Sequence, residues 1–211
     1  GAFSVNAKGQ MAGTYQTPEQ PAEVYMMDGE GRPSTKLSAV NDKVEIPEMG
    51  KTELISWKSS HNGMEIEGLL TYPIGYEAGK KYKIILQVHG GPAGVFSKSF
   101  TGNPSIYVTQ YFAQQGYLIL RPNPRGSNGY GKDFRYANFQ DWGYGDYEDL
   151  VSGVDHLIEK GIADKDQQYL MGWSYGGYMT SWVVTQTGRF KAASMGAGLP
   201  NQISMVTTTA I

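Results

Sequence analysis

The run Gly172-Trp173-Ser174-Tyr175-Gly176 places a serine between two glycines in a Gly-x-Ser-x-Gly pattern. It follows Tyr169-Leu170-Met171, which reads as the end of a buried strand, and precedes a stretch expected to be helical over 175–187. A serine at such a strand-to-helix junction is held in a sharp, strained turn that pushes its hydroxyl out from the sheet edge. Glycines suit the flanking positions because the two backbones pass there too closely for a Cβ. The helix beginning beyond Ser174 turns free N–H groups and a positive dipole end toward developing negative charge. The chemistry implied is attack on an acyl carbon, with Ser174 as the nucleophile.

A second pattern supports that chemistry independently. The apolar run Tyr82 to Val88 ends in His89-Gly90-Gly91-Pro92. In the α/β-hydrolase arrangement, the loop after the third strand supplies one oxyanion-hole amide and the residue after the nucleophile supplies the other. Those donors would be Gly91 (with Gly90 as the alternative) and Tyr175. One such donor is worth roughly 3–4 kcal/mol of transition-state stabilisation.

The partners a serine nucleophile needs are harder to find. In this fold the chain order is Ser, then Asp or Glu, then His. The 37 residues after Ser174 contain none of these types. Of the three histidines, His61 falls at an Asn-Gly hairpin tip and is expected to be solvated. His156 sits on the helix side opposite Leu150, Val154 and Leu157, so it too should point to water. His89 lies on the oxyanion side and is expected to shape its loop. The expectation is therefore of a truncated hydrolase with negligible activity by itself. Asp141, Asp146, Glu148 and Asp149 cluster at the start of a helix expected over 145–160, where they would complement its dipole rather than bind metal. Arg125 is expected to brace the loop before it.

The elements that must carry these residues follow from periodicity. Two runs, 53–58 and 64–70, flank His61-Asn62-Gly63 as a hairpin. Strands at 82–88, 117–120, 167–173 and 191–197 alternate with helices at 104–115, 145–160 and 175–187, giving six strands after residue 50 and no finishing helix. One hairpin followed by strand–helix alternation argues for an α/β fold with a mostly parallel sheet covered on both faces. Strand 191–197 would be an unpaired apolar edge, which invites association into a homo-oligomer. Residues 1–43 read instead as short β-segments separated by turns such as Lys8-Gly9 and Asp28-Gly29, too poor in apolar residues to hold a core alone. A net charge of −2 and the absence of basic runs give no footprint for nucleic acid or a membrane surface. No cysteine is present, which removes disulfides and thiol catalysis together. Nothing in the composition assigns a compartment.

Four motifs occur together: His89-Gly90-Gly91-Pro92, Asn123 to Gly131 (Asn-Pro-Arg-Gly-Ser-Asn-Gly-Tyr-Gly), Asp141-Trp142-Gly143, and Gly172 to Tyr178. Over about 50–205 the sequence resembles the catalytic domain of the prolyl oligopeptidase family, on the side of its acylaminoacyl-peptidase and dipeptidyl-peptidase-like members. The resemblance implies a cofactor-free serine peptidase acting on short peptides, with a β-propeller gating an α/β-hydrolase domain. Residues 1–43 would be the last propeller strands and the crossover, and 44–211 the N-terminal part of the hydrolase domain. It places the nucleophile at Ser174 and the oxyanion amides at Tyr175 and Gly91. A carboxylesterase or lipase of the same fold, or a non-catalytic binding module that keeps it, are the alternatives.

Overall fold

The structure, a computed structural model, describes residues 2–208; the first residue and last three of the expected domains lie outside them. Strands β1 (Phe3–Val5), β2 (Met11–Thr17), β3 (Gln20–Met27) and β4 (Pro33–Lys36) form an antiparallel sheet paired in chain order. Turn chemistry sets the reversals, with Gly9 and Gly31 both in the left-handed region at φ 76. Few apolar side chains are buried here, and polar contacts take their place. The Glu23 carboxylate accepts from Ser38 Oγ and from the amides of Asn41 and Val40, tying the segment after β4 back onto the sheet. Those donors, Ser38 first, hold its carboxyl down to about 2.

The second sheet has the six strands expected after residue 50: β5 (Thr52–Lys58), β6 (Glu65–Thr71), β7 (Tyr82–Val88), β8 (Leu118–Asn123), β9 (Ala163–Trp173) and β10 (Phe190–Gly196). Their order is β10-β9-β7-β8-β6-β5. The pairs within β10-β9-β7-β8 are parallel, whereas β6 is antiparallel to both β8 and β5. The sheet is thus mixed but mostly parallel, as expected: three of its five strand pairs are parallel, and β6 alone runs against the rest. A tight turn can join only antiparallel strands, and the β5–β6 hairpin then docks antiparallel on β8.

Helices α3 (Gly145–Glu159) and α4 (Tyr175–Gln186) cover one face. Leu150, Val154 and Leu157 of α3 and Met179 and Val183 of α4 join Leu70, Ile84, Leu86, Leu120 and Leu170 of the strands in one core. The i, i+4, i+7 spacing of the α3 residues dictates this burial. Gly153 lets α3 approach β5, because a Cβ there would lie 2.6 Å from the Trp57 ring. The Trp57 indole N–H in turn donates to Asp149 O at 2.9 Å.

Several expectations shift. The helix expected over 104–115 shrinks to α1 (Thr109–Gln114), because Val108 takes a left-handed φ of 39 and breaks the run. Its buried residues are Thr109, Gln110 and Ala113, while Ile106 and Tyr111 are exposed. β9 begins four residues earlier than expected, its polar start, Asp164 to Gln167, giving no apolar signal. Two short helices were not expected at all, α2 (Lys132–Tyr136) and α5 (Gln202–Thr208). The strand expected at 191–197 is β10, and it takes the edge position with Ala192, Ala193 and Met195 exposed.

The Gly153 contact yields a direct test. Gly153→Leu forces atoms into the Trp57 ring and should cost about 1–3 kcal/mol, the range for overpacked cores. Urea unfolding measures it; unchanged stability would show that α3 does not pack this tightly on β5.

Candidate active site

Ser174 sits between the last residue of β9 and the first of α4 with φ 60 and ψ −120, a conformation that costs a non-glycine residue strain. Glycines make the junction possible. A Cβ on Gly172 would lie 2.2 Å from the Gly176 carbonyl oxygen, and one on Gly176 would lie 2.1 Å from Val88 O. β9, α4 and β7 therefore cross at backbone contact. Ser174 N donates to Gly196 O at 3.0 Å, and Tyr178 N closes the first helical turn on Ser174 O at 2.9 Å. The serine side chain remains half-exposed beside the exposed Trp173.

The β7 loop comes to the same place. A Cβ on Gly90 would lie 3.3 Å from Ser174 Cβ and 3.8 Å from its Oγ. Gly91, at φ 132, packs so tightly into the turn that a Cβ would sit 2.3 Å from Ala93 N. The three residues singled out for catalysis, Ser174, Tyr175 and Gly91, thus lie on two adjacent turns at one end of the parallel strands. That is the end at which open α/β sheets hold their ligands.

Behind these turns lies a buried polar framework. Tyr175 is buried, and its phenol donates to Asp146 Oδ2. Asp146 Oδ1 takes the amides of Gly143 (2.7 Å) and Tyr147 (2.9 Å). Burial pushes the Asp146 carboxyl up, against the hydrogen bond from Tyr175, and pushes the Tyr175 phenol well above its ordinary value. Asp149 is also completely buried and pairs with the Arg125 guanidinium through bonds of 2.9 and 2.8 Å, while accepting Arg125 N at 2.8 Å. Both aspartates point inward to specific donors, which corrects the expectation that they merely complement the α3 dipole. Arg125 braces its loop as expected, reaching Asn62 Oδ1 at 3.1 Å as well.

The oxyanion loop has its own supports. His89 Nδ1 lies 2.8 Å from Gly90 O, an atom that can only accept, so Nδ1 carries the proton. Nε2 faces Ser127 Oγ at 3.0 Å, and Ser127 Oγ also lies 2.6 Å from Pro124 O. Burial lowers the His89 pKa. Both ring nitrogens thus face atoms of their own loops, Gly90 O and Ser127 Oγ. Asn123 clamps Phe96 from both sides, accepting its amide at 2.7 Å and donating to its carbonyl at 3.0 Å. Phe96 stands edge-on to His89 and to Tyr107, each at 5.3 Å, with Arg121 over its ring at 5.4 Å. The motif Asn123 to Ser127 is thus the buttress of the loop carrying Gly90 and Gly91. Sequence patterns flagged these residues without revealing what they support.

No histidine among the described residues hydrogen-bonds Ser174. His61 is exposed in its turn, as expected. His156 departs from expectation: it is half-buried, its Nε2 is enclosed without a partner among the described residues, and burial lowers its pKa. Trp57 lines the same groove as His156, on a side of α3 that helical periodicity alone leaves to solvent. Among the described residues no group of three His, Cys, Asp or Glu side chains could hold a metal ion.

A strained serine at a glycine-lined strand–helix crossing, on a mixed sheet of this order, defines an α/β-hydrolase. Residues 104–211 match the model of the prolyl oligopeptidase family, and the chain belongs to that family of serine peptidases. It is 35% identical over 189 residues to the uncharacterized peptidase YuxL of Bacillus subtilis, covering 89% of this chain and 28% of that one. Dipeptidyl aminopeptidase BIII of Pseudoxanthomonas mexicana is 32% identical over 182 residues, 82% of this chain and 25% of its own length. The solved Pyrococcus horikoshii acylaminoacyl peptidase superposes with a TM-score of 0.84 at 30% identity, over 100% of this chain and 32% of that one. The chain therefore spans about a quarter to a third of the length of these relatives.

Two outcomes check the framework. Asp149→Ala leaves the Arg125 guanidinium buried without its partner and should cost about 3–5 kcal/mol in urea unfolding. Asp146 binds its proton more firmly folded than unfolded, so its contribution to stability falls as pH rises from the ordinary aspartate range through its raised folded value. As pH rises above the ordinary aspartate range, Asp146→Asn should remove that decline. Urea midpoints with the same pH slope in both proteins would contradict it.

Proposed function

We propose that this chain carries the nucleophile and oxyanion hole of a serine peptidase that cleaves short peptides through an acyl-enzyme on Ser174. The observation that carries the reading is the Ser174 backbone at φ 60 with its side chain set against Gly90. The hydroxyl attacks the substrate carbonyl, and the amides of Tyr175 and Gly91 receive the oxyanion. The Tyr175 amide opens α4, where N–H groups have no intrahelical acceptor. Its side chain is locked on Asp146, so the donor pays no reorganisation cost when charge develops. Gly91 follows directly on the residue packed against Ser174, which brings its amide to the same side.

The reading requires a general base and its orienting carboxylate from outside these 211 residues. His89 turns its two nitrogens to Gly90 O and Ser127 Oγ, and no acid or histidine follows Ser174 within these residues. Residues 1–43 fit the last strands of a β-propeller and its crossover, since four antiparallel strands paired in chain order are how one blade is built. Residues 44–211 are then the first part of the hydrolase domain. Relatives named as dipeptidyl and acylaminoacyl peptidases support short peptides as substrates.

The full-length protein should release nitroaniline from aminoacyl or acyl-peptidyl anilides faster than it cleaves matched short acyl esters of the kind a lipase prefers. Ser174→Ala should lower kcat by about 10⁶-fold. The isolated 211 residues should label only slowly with a fluorophosphonate. Anilide hydrolysis that survives Ser174→Ala would refute the assignment.

A further inference from the structure

We propose that Tyr107 is a positioning residue that holds the two turns of the oxyanion site in register, by donating its phenol to the last carbonyl of β7. This rests on the reading of Ser174, Gly91 and Tyr175 given above and adds a residue that lies in none of the four motifs.

The geometry centres on one carbonyl. Tyr107 Oη lies 3.0 Å from Val88 O. That same oxygen is the atom a Cβ on Gly176 would strike at 2.1 Å, so Val88 O sits wedged against the start of α4. Gly176 is two residues beyond Ser174, and Val88 is two residues before Gly90, on which a Cβ would lie 3.3 Å from Ser174 Cβ. The tilt of the Val88 peptide therefore couples the loop bearing Gly91 to the turn bearing the serine.

Tyr107 is itself held firmly. Its carbonyl accepts Gln87 Nε2 at 2.7 Å, and Gln87 Oε1 takes Thr109 Oγ1 at 3.1 Å. Its ring stands edge-on to Phe96, which packs on His89. Burial dominates its ionisation and pushes the phenol up to about 12, although the Trp173 and Gly90 amides bear on the oxygen in the opposite sense. The hydroxyl thus remains a donor through the neutral range. Those two amides belong to the residues immediately before Ser174 and Gly91, so one oxygen faces β7, its loop and the elbow together.

The strained elbow relaxes if this clamp is lost, and amide donors displaced by a fraction of an ångström lose much of their hold on an oxyanion. A misplacement near 1 Å costs on the order of 10²-fold in rate, so a smaller one is expected here. In the full-length protein Tyr107→Phe should lower kcat about 10-fold with KM changed less than about twofold, a loss of donors that act on the transition state. The rate of Ser174 labelling by a fluorophosphonate should fall by a similar factor. Placing 3-fluorotyrosine at 107, which keeps shape and hydroxyl, should restore kcat to within about twofold of the wild type. Wild-type kcat in Tyr107→Phe, equal losses in both variants, or a rise in KM alone would each overturn the inference. Absence of Ser174 labelling in the wild type would instead sink the nucleophile reading beneath it, a separate result from any of these.

Discussion

The backbone crossing at Gly172, Gly176 and Val88 governs this molecule. Three segments meet there at distances where no Cβ fits, 2.2 Å for Gly172 and 2.1 Å for Gly176. A helix brought that close to its sheet must start abruptly, and the residue at the corner cannot relax into an ordinary backbone conformation. Ser174 takes that position with a positive φ. Strain of this kind persists only where surrounding structure over-determines it, and the parallel strands on either side supply that constraint.

The constraint explains the unusual content of the layer behind the site. Two aspartates and an arginine are buried where hydrophobic side chains would ordinarily pack. Buried charge is costly unless fully paired, and here each group has several partners. Asp146 joins the start of α3 to the Tyr175 side chain, and Asp149 joins α3 to the loop after β8 through Arg125. These bonds have direction, which apolar contacts lack. They fix where the Tyr175 amide points, while Asn123 and Ser127 do the same for the loop bearing Gly90 and Gly91. The two polar networks that brace the cleft meet in the loop after β8, where Arg125 lies between Asn123 and Ser127.

Much of this was legible in the residues. The Gly-x-Ser-x-Gly turn, the Gly-Gly pair after β7, the strand–helix alternation and the buried face of α3 all follow from local rules about Cβ sterics and periodicity. The same rules misjudged the segment 104–108. Its apolar and aromatic residues have helical spacing, yet Val108 turns left-handed and releases Tyr107 toward β7. His156 was misplaced for a related reason, since a helical wheel describes one helix in solvent and not a helix flanked by Trp57 of β5.

By itself, then, the amino-acid order determined which residues can react and what local geometry each must adopt, because a strained serine, close-approach glycines and an amphipathic helix are properties of short segments. Only the tertiary structure decided what holds them. Arg125 meets Asp149 across 24 residues, Tyr175 meets Asp146 across 29, and His89 meets Ser127 across 38. Such pairings depend on the strand order β10-β9-β7-β8-β6-β5. That order arises from the packing of whole elements on one another, and no local periodicity encodes it.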